Sequence, residues 1–262
     1  MRMNGRTRAA MISVLAALSC APAEQEPETS TSPVPVTSTQ MILVTSPSVE
    51  APSGVLHRFA RDSSSADWRA VGGATRITLG RNGLGLGIGL HEIDPGSMPL
   101  KQEGDGKSPA GVFRLSSAFG YAPSNEMAGL GISYTHVTDD LECVDDVNSA
   151  YYNQIVLRSE VGEVDWQSSE QMLMDGIWYE TGIVVDHNAS PVSKGGGSCI
   201  FLHNWSGPDD TTSGCTAMAP SDLMEIVHWL DAEKDPVLVQ LTRQLYGQYE
   251  GTWGLPTLPV VD

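Results

Sequence analysis

The chain has 262 residues, enough for one large domain or two small ones, and its 15 Lys and Arg are outnumbered by 32 Asp and Glu for a net charge of −17. So acidic a chain has no electrostatic attraction for nucleic acid or for an anionic membrane surface, and no basic patch interleaved with aromatics argues otherwise. Most of the charge reads as solvation of a protein outside the cytoplasm.

Residues 1–19 read as a signal peptide. Arg2, Arg6 and Arg8 form a positive start, and Ala9–Leu18 is an apolar run too short for a permanent bilayer anchor. The run ends at Leu18-Ser19-Cys20-Ala21. A small residue before a cysteine resembles bacterial lipoprotein signals, with Cys20 as the lipidated first residue and hence a membrane anchor. Ala17 stands where such signals usually carry a larger aliphatic residue, and ordinary cleavage near Ala21-Pro22-Ala23 is the alternative. Removing residues 1–19 takes three Arg and no acid, so −17 becomes −20. On this reading the protein is exported to the cell envelope or periplasm, lipid-anchored, and at the outer membrane where the cell has one.

Residues 20–54 are rich in Pro, Glu, Ser and Thr. Such a segment buries too little apolar surface to offset its ordering entropy, which predicts a flexible tether with a reach of roughly 30 Å. Residues 55–262 then form one domain of short strands. Thr75–Leu79, Gly111–Leu115, Tyr151–Arg158, Thr181–Asp186, Cys199–Trp205 and Val237–Leu241 are β-branched or aromatic runs between Gly, Pro, Asn and Asp. Ser168-Ser-Glu-Gln171 has the spacing of a capping box and predicts a short helix through Met174. Pro220-Ser221 opens a second, with Leu223, Ile226, Val227 and Leu230 on one face. The fold class is mainly β with one or two packed short helices.

In Gly83-Leu-Gly-Leu-Gly-Ile-Gly-Leu90 the glycines recur strictly every second residue, unlike a dinucleotide-binding loop. An extended strand would put Leu84, Leu86, Ile88 and Leu90 on one face and bare backbone on the other, for close packing or as a substrate floor.

The chemistry is concentrated between Gly195 and Met218. A strand ends at His203, a polar loop follows, and Thr212-Ser-Gly-Cys215 runs into the Pro220 helix. A free thiol ionises near pH 8.5, so a cysteine nucleophile needs an adjacent imidazole or a helix N-terminus. His203 is the nearest candidate base, and Cys215 at a glycine turn is the candidate nucleophile. With Cys20 lipidated and Cys215 reactive, Cys143 and Cys199 remain, either as a disulfide permitted by an oxidising compartment or as two buried thiols. A zinc site from Cys199, His203, Cys215 and His187 is the competing arrangement, but its spacing fits no finger or HExxH pattern. His187, at an apolar strand end, reads as a hydrogen-bonded core histidine. No cofactor is expected.

Leu202-His203 and Thr212-Ser213-Gly214-Cys215 are similar, residue by residue, to the strand-end histidine and Ser/Thr-x-Gly-Cys turn of the L,D-transpeptidase (YkuD-like) family. Lys101-Gln-Glu-Gly-Asp-Gly-Lys-Ser-Pro-Ala-Gly-Val-Phe113 resembles the family's EGD-G-x-T/S-P-x-G-x-F stretch, and Gly80–Gly83 and Thr181–Asn188 match in order and surroundings. The likeness spans roughly residues 65–242. It implies a YkuD-like β-sandwich or barrel and a cysteine enzyme of the cell wall. Cys215 would attack peptidoglycan stem peptides at an L-centre–D-alanine bond and His203 would act as base. Gly214, Ser213 and Thr212 would bind substrate or the oxyanion. Two departures mark a divergent subgroup. Ser213 stands where many members carry His, and Ala217 where many carry Arg or Asn. A hydrolase on the same scaffold and a non-catalytic wall-binding module are the competing functions.

Overall fold

The computed structural model describes Met1 and residues 32–259. The signal peptide expected over residues 1–19, save Met1, and Cys20 lie outside the described residues. Among the described residues thirteen strands and two α-helices follow in chain order: β1 Gln40–Ser46, β2 Ser53–Ala60, β3 Arg69–Thr78, β4 Leu84–Leu86, β5 Ser108–Gly120, β6 Tyr134–His136 and β7 Leu141–Val144; then β8 Ile155–Leu157, β9 Ser169–Gln171, β10 Thr181–Val185, β11 Phe201–Asn204, β12 Thr216–Met218, α1 Pro220–Trp229, β13 Val237–Thr242 and α2 Arg243–Trp253. The fold is mainly β, as expected.

In the large sheet the order is β10-β11-β12-β3-β2-β1-β13-β5, and β5 pairs back onto β10, so the sheet closes into a barrel. The long β5 makes closure possible. Its middle pairs with β13 through Gly111–Arg114, while its last residues pair with β10. Closure leaves these strands without an open edge. β7, β8 and β9 form a separate three-stranded sheet, called here the strap, in the order β8-β7-β9.

The tether expected over 20–54 is corrected where the structure describes it. Ser32 already donates its hydroxyl to the Trp253 carbonyl, and Val34 is buried. Gln40–Ser46 is the innermost strand β1, paired antiparallel to β2 and parallel to β13. Met41, Ile42, Leu43 and Val44 are fully buried. Composition averaged over a Pro- and Ser-rich window hides a seven-residue strand.

The helix expected from Ser168 is also absent, and Ser169–Gln171 is strand β9. The Ser168 hydroxyl bonds Asp145 and the Ser169 hydroxyl donates to Glu142, so both side chains reach across the strap instead of capping a helix. The strand expected over Tyr151–Arg158 shrinks to β8, because Asn153 takes a left-handed turn (φ 63°). That expected over Cys199–Trp205 begins only at Phe201, after Cys199 at φ 54°.

The Pro220 helix forms as α1 and buries Leu223, Ile226 and Val227, with His228 exposed. Helix α2, not anticipated, is capped by the Thr242 hydroxyl at one end and by left-handed Gly254 at the other. In the glycine run, the strand ends at Leu86, and Ile88 and Leu90 are exposed. A Cβ on Gly87 would sit 2.7 Å from the Phe113 ring, so the bare face serves close packing against β5.

Burying four large aliphatic side chains is worth about 1.5–3 kcal/mol each, comparable in sum to the whole stability of a domain, about 5–15 kcal/mol. A chain beginning at Val55 should therefore fail to fold, whereas one beginning at Ser32 should melt in a single transition. Thermal unfolding followed by circular dichroism checks both, and a cooperative transition in the shorter chain would contradict the central role of β1.

Candidate active site

Two faces of β10, β11 and β12 do different jobs. Ile183, Leu202 and Met218 point into the main core with α1. By strand alternation Val184, Phe201, His203 and Ala217 point the other way, towards the strap. The parallel register pairs Leu202 with Thr216 and His203 with Ala217, which sets Cys215 beside Phe201. Cys215 joins Phe119, Tyr179, Phe201, Cys143 and Cys199 in a second buried cluster under the strap. The two residues singled out from sequence thus share one face.

Cys215 is 7% exposed. Its Sγ accepts the Phe201 N–H at 3.3 Å, and its thiol donates to the Cys199 carbonyl at 3.5 Å. Burial, and after it the charge of Glu170, pushes the thiol well above its ordinary value, while the Phe201 N–H and Lys101 pull the other way. The turn before it is rigid. The Cys215 carbonyl accepts hydroxyls from both Thr212 (2.6 Å) and Ser108 (2.7 Å). Gly214 donates its N–H to the Thr212 hydroxyl at 3.1 Å, so this amide is engaged in the structure. A Cβ at Gly214 would lie 3.2 Å from the Lys107 carbonyl. Close approach, more than a sharp bend, calls for glycine here. Ser213 bonds the exposed Arg81 guanidinium at 3.1 Å.

His203, also 7% exposed, sets its Nδ1 2.7 Å from the Asn204 carbonyl. A carbonyl only accepts, so Nδ1 carries the proton and Nε2 keeps its lone pair. Burial lowers the imidazole pKa against the opposing effects of that carbonyl and of Asp210. Tyr179 packs edge-on against His203, 5.5 Å between ring centres. No hydrogen bond joins His203 to Cys215 here, and both of the thiol's partners are backbone groups. His187 has no nitrogen to spare. Nε2 donates to the Gly196 carbonyl at 2.9 Å and Nδ1 accepts the Ile88 N–H at 3.2 Å. Burial pushes its pKa down to about 4. It is a core histidine.

Cys143 and Cys199 are bridged, with Cα atoms 5.9 Å apart. Cys199 therefore has no thiolate to offer a metal. The bridge ties β7 of the strap to the residue whose carbonyl meets the Cys215 thiol. On the outer side of the strap the Glu142 carboxylate, despite burial, is drawn down to about 2 by Ser169, Gln171, Trp166 and Arg158. A cleft of about 470 Å³ runs between β5, β8 and β10, lined by Ser117, Phe119, Ile155 and Val184. A smaller one of about 170 Å³, sharing Ser117, Ile155 and Val184, reaches Phe201 and the disulfide. Neither is lined by Cys215 itself, so the sulfur lies just behind the cleft wall.

Three groups at this site were not singled out from the sequence. Lys101, almost fully buried, pairs with Asp105 at 2.7 Å, and its Cε lies 3.1 Å from where a Gly197 Cβ would be. Tyr179 donates its hydroxyl to Glu170 at 2.6 Å. Lys101 stands at the head of the Gly-Asp-Gly motif. Nothing local marks Glu170 or Tyr179.

The bridge encloses a sequence separation of 56 residues. Replacing both cysteines with serine should lower the unfolding free energy by about 2–4 kcal/mol, read from urea denaturation. In the oxidised chain from Ser32 onward one thiol, Cys215, should be titratable, slowly when folded and promptly when denatured.

The model of the L,D-transpeptidase catalytic domain (YkuD) matches residues 66–239. No curated protein sequence matches the chain. The matched span runs from β3 into β13 and contains the closed barrel's β10–β12 wall with Cys215 and His203, the strap, and Lys101. The chain belongs to the L,D-transpeptidase catalytic domain family.

Proposed function

We propose that this enzyme remodels the cell wall by cleaving the bond between an L-configured centre of a peptidoglycan stem peptide and its terminal D-alanine. A Cys215 thioester carries the acyl group to an amine of a neighbouring stem peptide. The observation that supports this most is the His203 tautomer. With Nδ1–H held by the Asn204 carbonyl, Nε2 is left as a base on the face that also bears the Cys215 sulfur.

His203 Nε2 takes the thiol proton as the sulfur attacks the peptide carbonyl. The imidazolium returns that proton to the departing D-alanine nitrogen, leaving a thioester. An amine resolves it to a new peptide bond, and water would resolve it to a free acid. The Gly214 amide is occupied by Thr212, so the Cys215 N–H is the nearer candidate for the oxyanion, with the Lys101 cation behind it. The same reading places the enzyme outside the cytoplasm on a lipid anchor at Cys20. Among the described residues no helix is long and apolar enough to cross a membrane. A fatty-acid analogue should label the wild type and not Cys20→Ala. Equal labelling of both would remove the anchor.

Purified peptidoglycan incubated with the enzyme, followed by muropeptide mass analysis, separates cross-links from trimmed peptides. Cys215→Ala should abolish both kinds of product. His203→Ala should slow turnover by roughly 10²–10⁴-fold, the usual worth of a general base. Full activity in Cys215→Ala would end the thioester reading.

A further inference from the structure

Glu170 is held over the site by the strap. The β7–β9 register pairs Cys143 with Glu170 and Glu142 with Gln171, so Glu170 shares the inward face of the disulfide while Glu142 and Gln171 face outward. The bridge fixes that face against Cys199, whose carbonyl meets the Cys215 thiol. Tyr179 spans the remaining gap. Its ring packs on His203 and Phe201, and its hydroxyl donates to Glu170 Oε2 at 2.6 Å. As a residue Glu170 is half-buried, less enclosed than Cys215.

The groups facing this carboxyl are almost all anions or neutral. Tyr179 comes from the segment before β10, Cys215 from the turn before β12, Asp145 from the end of β7, and Glu103 from the loop before β5. Tyr121 faces Tyr179, and Lys101, bound to Asp105, faces Cys215. Burial, with Asp145 and Glu103, raises the Glu170 pKa to about 7 against the Tyr179 bond. Glu170 in turn pushes the Cys215 thiol up. Sulfur and carboxyl therefore compete for one negative charge.

The two half-reactions place that charge differently. In acylation it develops on sulfur, and a neutral carboxyl is favoured. In the thioester the sulfur is uncharged, and the carboxyl is free to ionise. A primary amine reaches the thioester as an ammonium and must lose two protons to become an amide, of which His203 can take only one. We infer that Glu170, held by Tyr179, is the base that admits a cationic primary amine to the acyl-enzyme and takes its first proton. This inference rests on the thioester reading above. The ammonium gives one proton to the Glu170 carboxylate and the free amine attacks the thioester carbonyl. His203 takes the second proton from nitrogen and passes it to sulfur as the C–S bond breaks. The products are the amide, Cys215 as thiol, neutral His203 and protonated Glu170, which releases its proton to solvent.

The test separates the half-reactions by intact mass, using a stem tetrapeptide ending in D-alanine as donor and a stem peptide with a free side-chain amine as acceptor. In the wild type, aminolysis of the isolated thioester should rise through about pH 7, where Glu170 ionises. Glu170→Gln should lower aminolysis by roughly 10²-fold and abolish that rise, with partial rescue by Glu170→Asp. Acylation above pH 7 should move the opposite way and quicken in Glu170→Gln, because the competing charge is gone. Should that variant fail to fold, Tyr179→Phe decides. Loss of its hydrogen bond should shift the aminolysis midpoint to higher pH. Equal slowing of both half-reactions, unchanged aminolysis in Glu170→Gln, or an unmoved midpoint in Tyr179→Phe overturns the assignment. Absence of any thioester mass on wild-type Cys215 overturns the acyl-transfer reading itself.

Discussion

The site depends on one pairing, the parallel register of β11 with β12. It places Cys215 next to Phe201 and His203 opposite Ala217, with all four on the strap side of the barrel wall. A parallel pair cannot be joined by a tight hairpin, so the chain must leave after Asn204 and return from the other end. The returning loop is pinned on its way. Asp210 accepts hydrogen bonds from Trp178 and Ser206 through its carboxylate and from Thr78 through its carbonyl. Gly80 and Thr212 form a bridge, and the Thr212 and Ser108 hydroxyls then close on the Cys215 carbonyl. Apart from the Asp210 carboxylate, every step uses neutral or backbone partners. The fold itself thus fixes the position of Cys215.

The strap works from the opposite side, and its two faces carry different forces. Outward, a buried Glu142 carboxylate gathers Arg158, Trp166 and Ser169, a fully satisfied ionic network that fixes strand pairing. Inward, the Cys143–Cys199 bridge and the Phe119–Tyr179–Phe201 ring cluster press the strap against the wall. Alternation along these short strands thus separates an outward acid, Glu142, from an inward one, Glu170, although both lie on the same small sheet. Asn153 completes the arrangement. Its left-handed turn lets one amide side chain hold the His187 and Asn188 carbonyls and the Cys199 N–H together.

Much of this was readable in the residues, for identifiable reasons. His203 and Cys215 stood out because reactive residue types sit at a strand end and beside a glycine, signals that survive without a structure. α1 was readable because Pro220, Asp222 and the Leu223–Leu230 stripe agree on one helix. β1 was not, since seven apolar-rich residues are flanked by Pro, Ser and Thr, and a composition window averages over them. The strap misled for a deeper reason. Ser168-Ser-Glu-Gln171 satisfies the local rule for a helix start, but the partners that decide the outcome, Glu142 and Asp145, lie more than twenty residues away. Glu170 was therefore hidden inside a wrong element. Ala217 shows the converse. It marked a departure from family habit, and the structure gives it a place, buried opposite His203, where a long polar side chain would lie across the imidazole.

The resting site holds its proton on sulfur. Burial raises the thiol and lowers the imidazole, so each opposes its own charged form, and a preformed thiolate–imidazolium pair is disfavoured on both sides. Lys101, a buried cation nearby, is already paired with Asp105. Glu170, Glu103 and Asp145 leave the local field negative. Such a field resists a thiolate but attracts an ammonium, and the asymmetry has a chemical consequence. A cysteine in this setting gains nothing from ionising ahead of its substrate. In the proposed mechanism its charge would be tolerated only as it is passed on, first to the carbonyl oxygen of the peptide and then to the leaving group. In that mechanism the same negative lining that disfavours a thiolate would draw a cationic acceptor to the acylated sulfur.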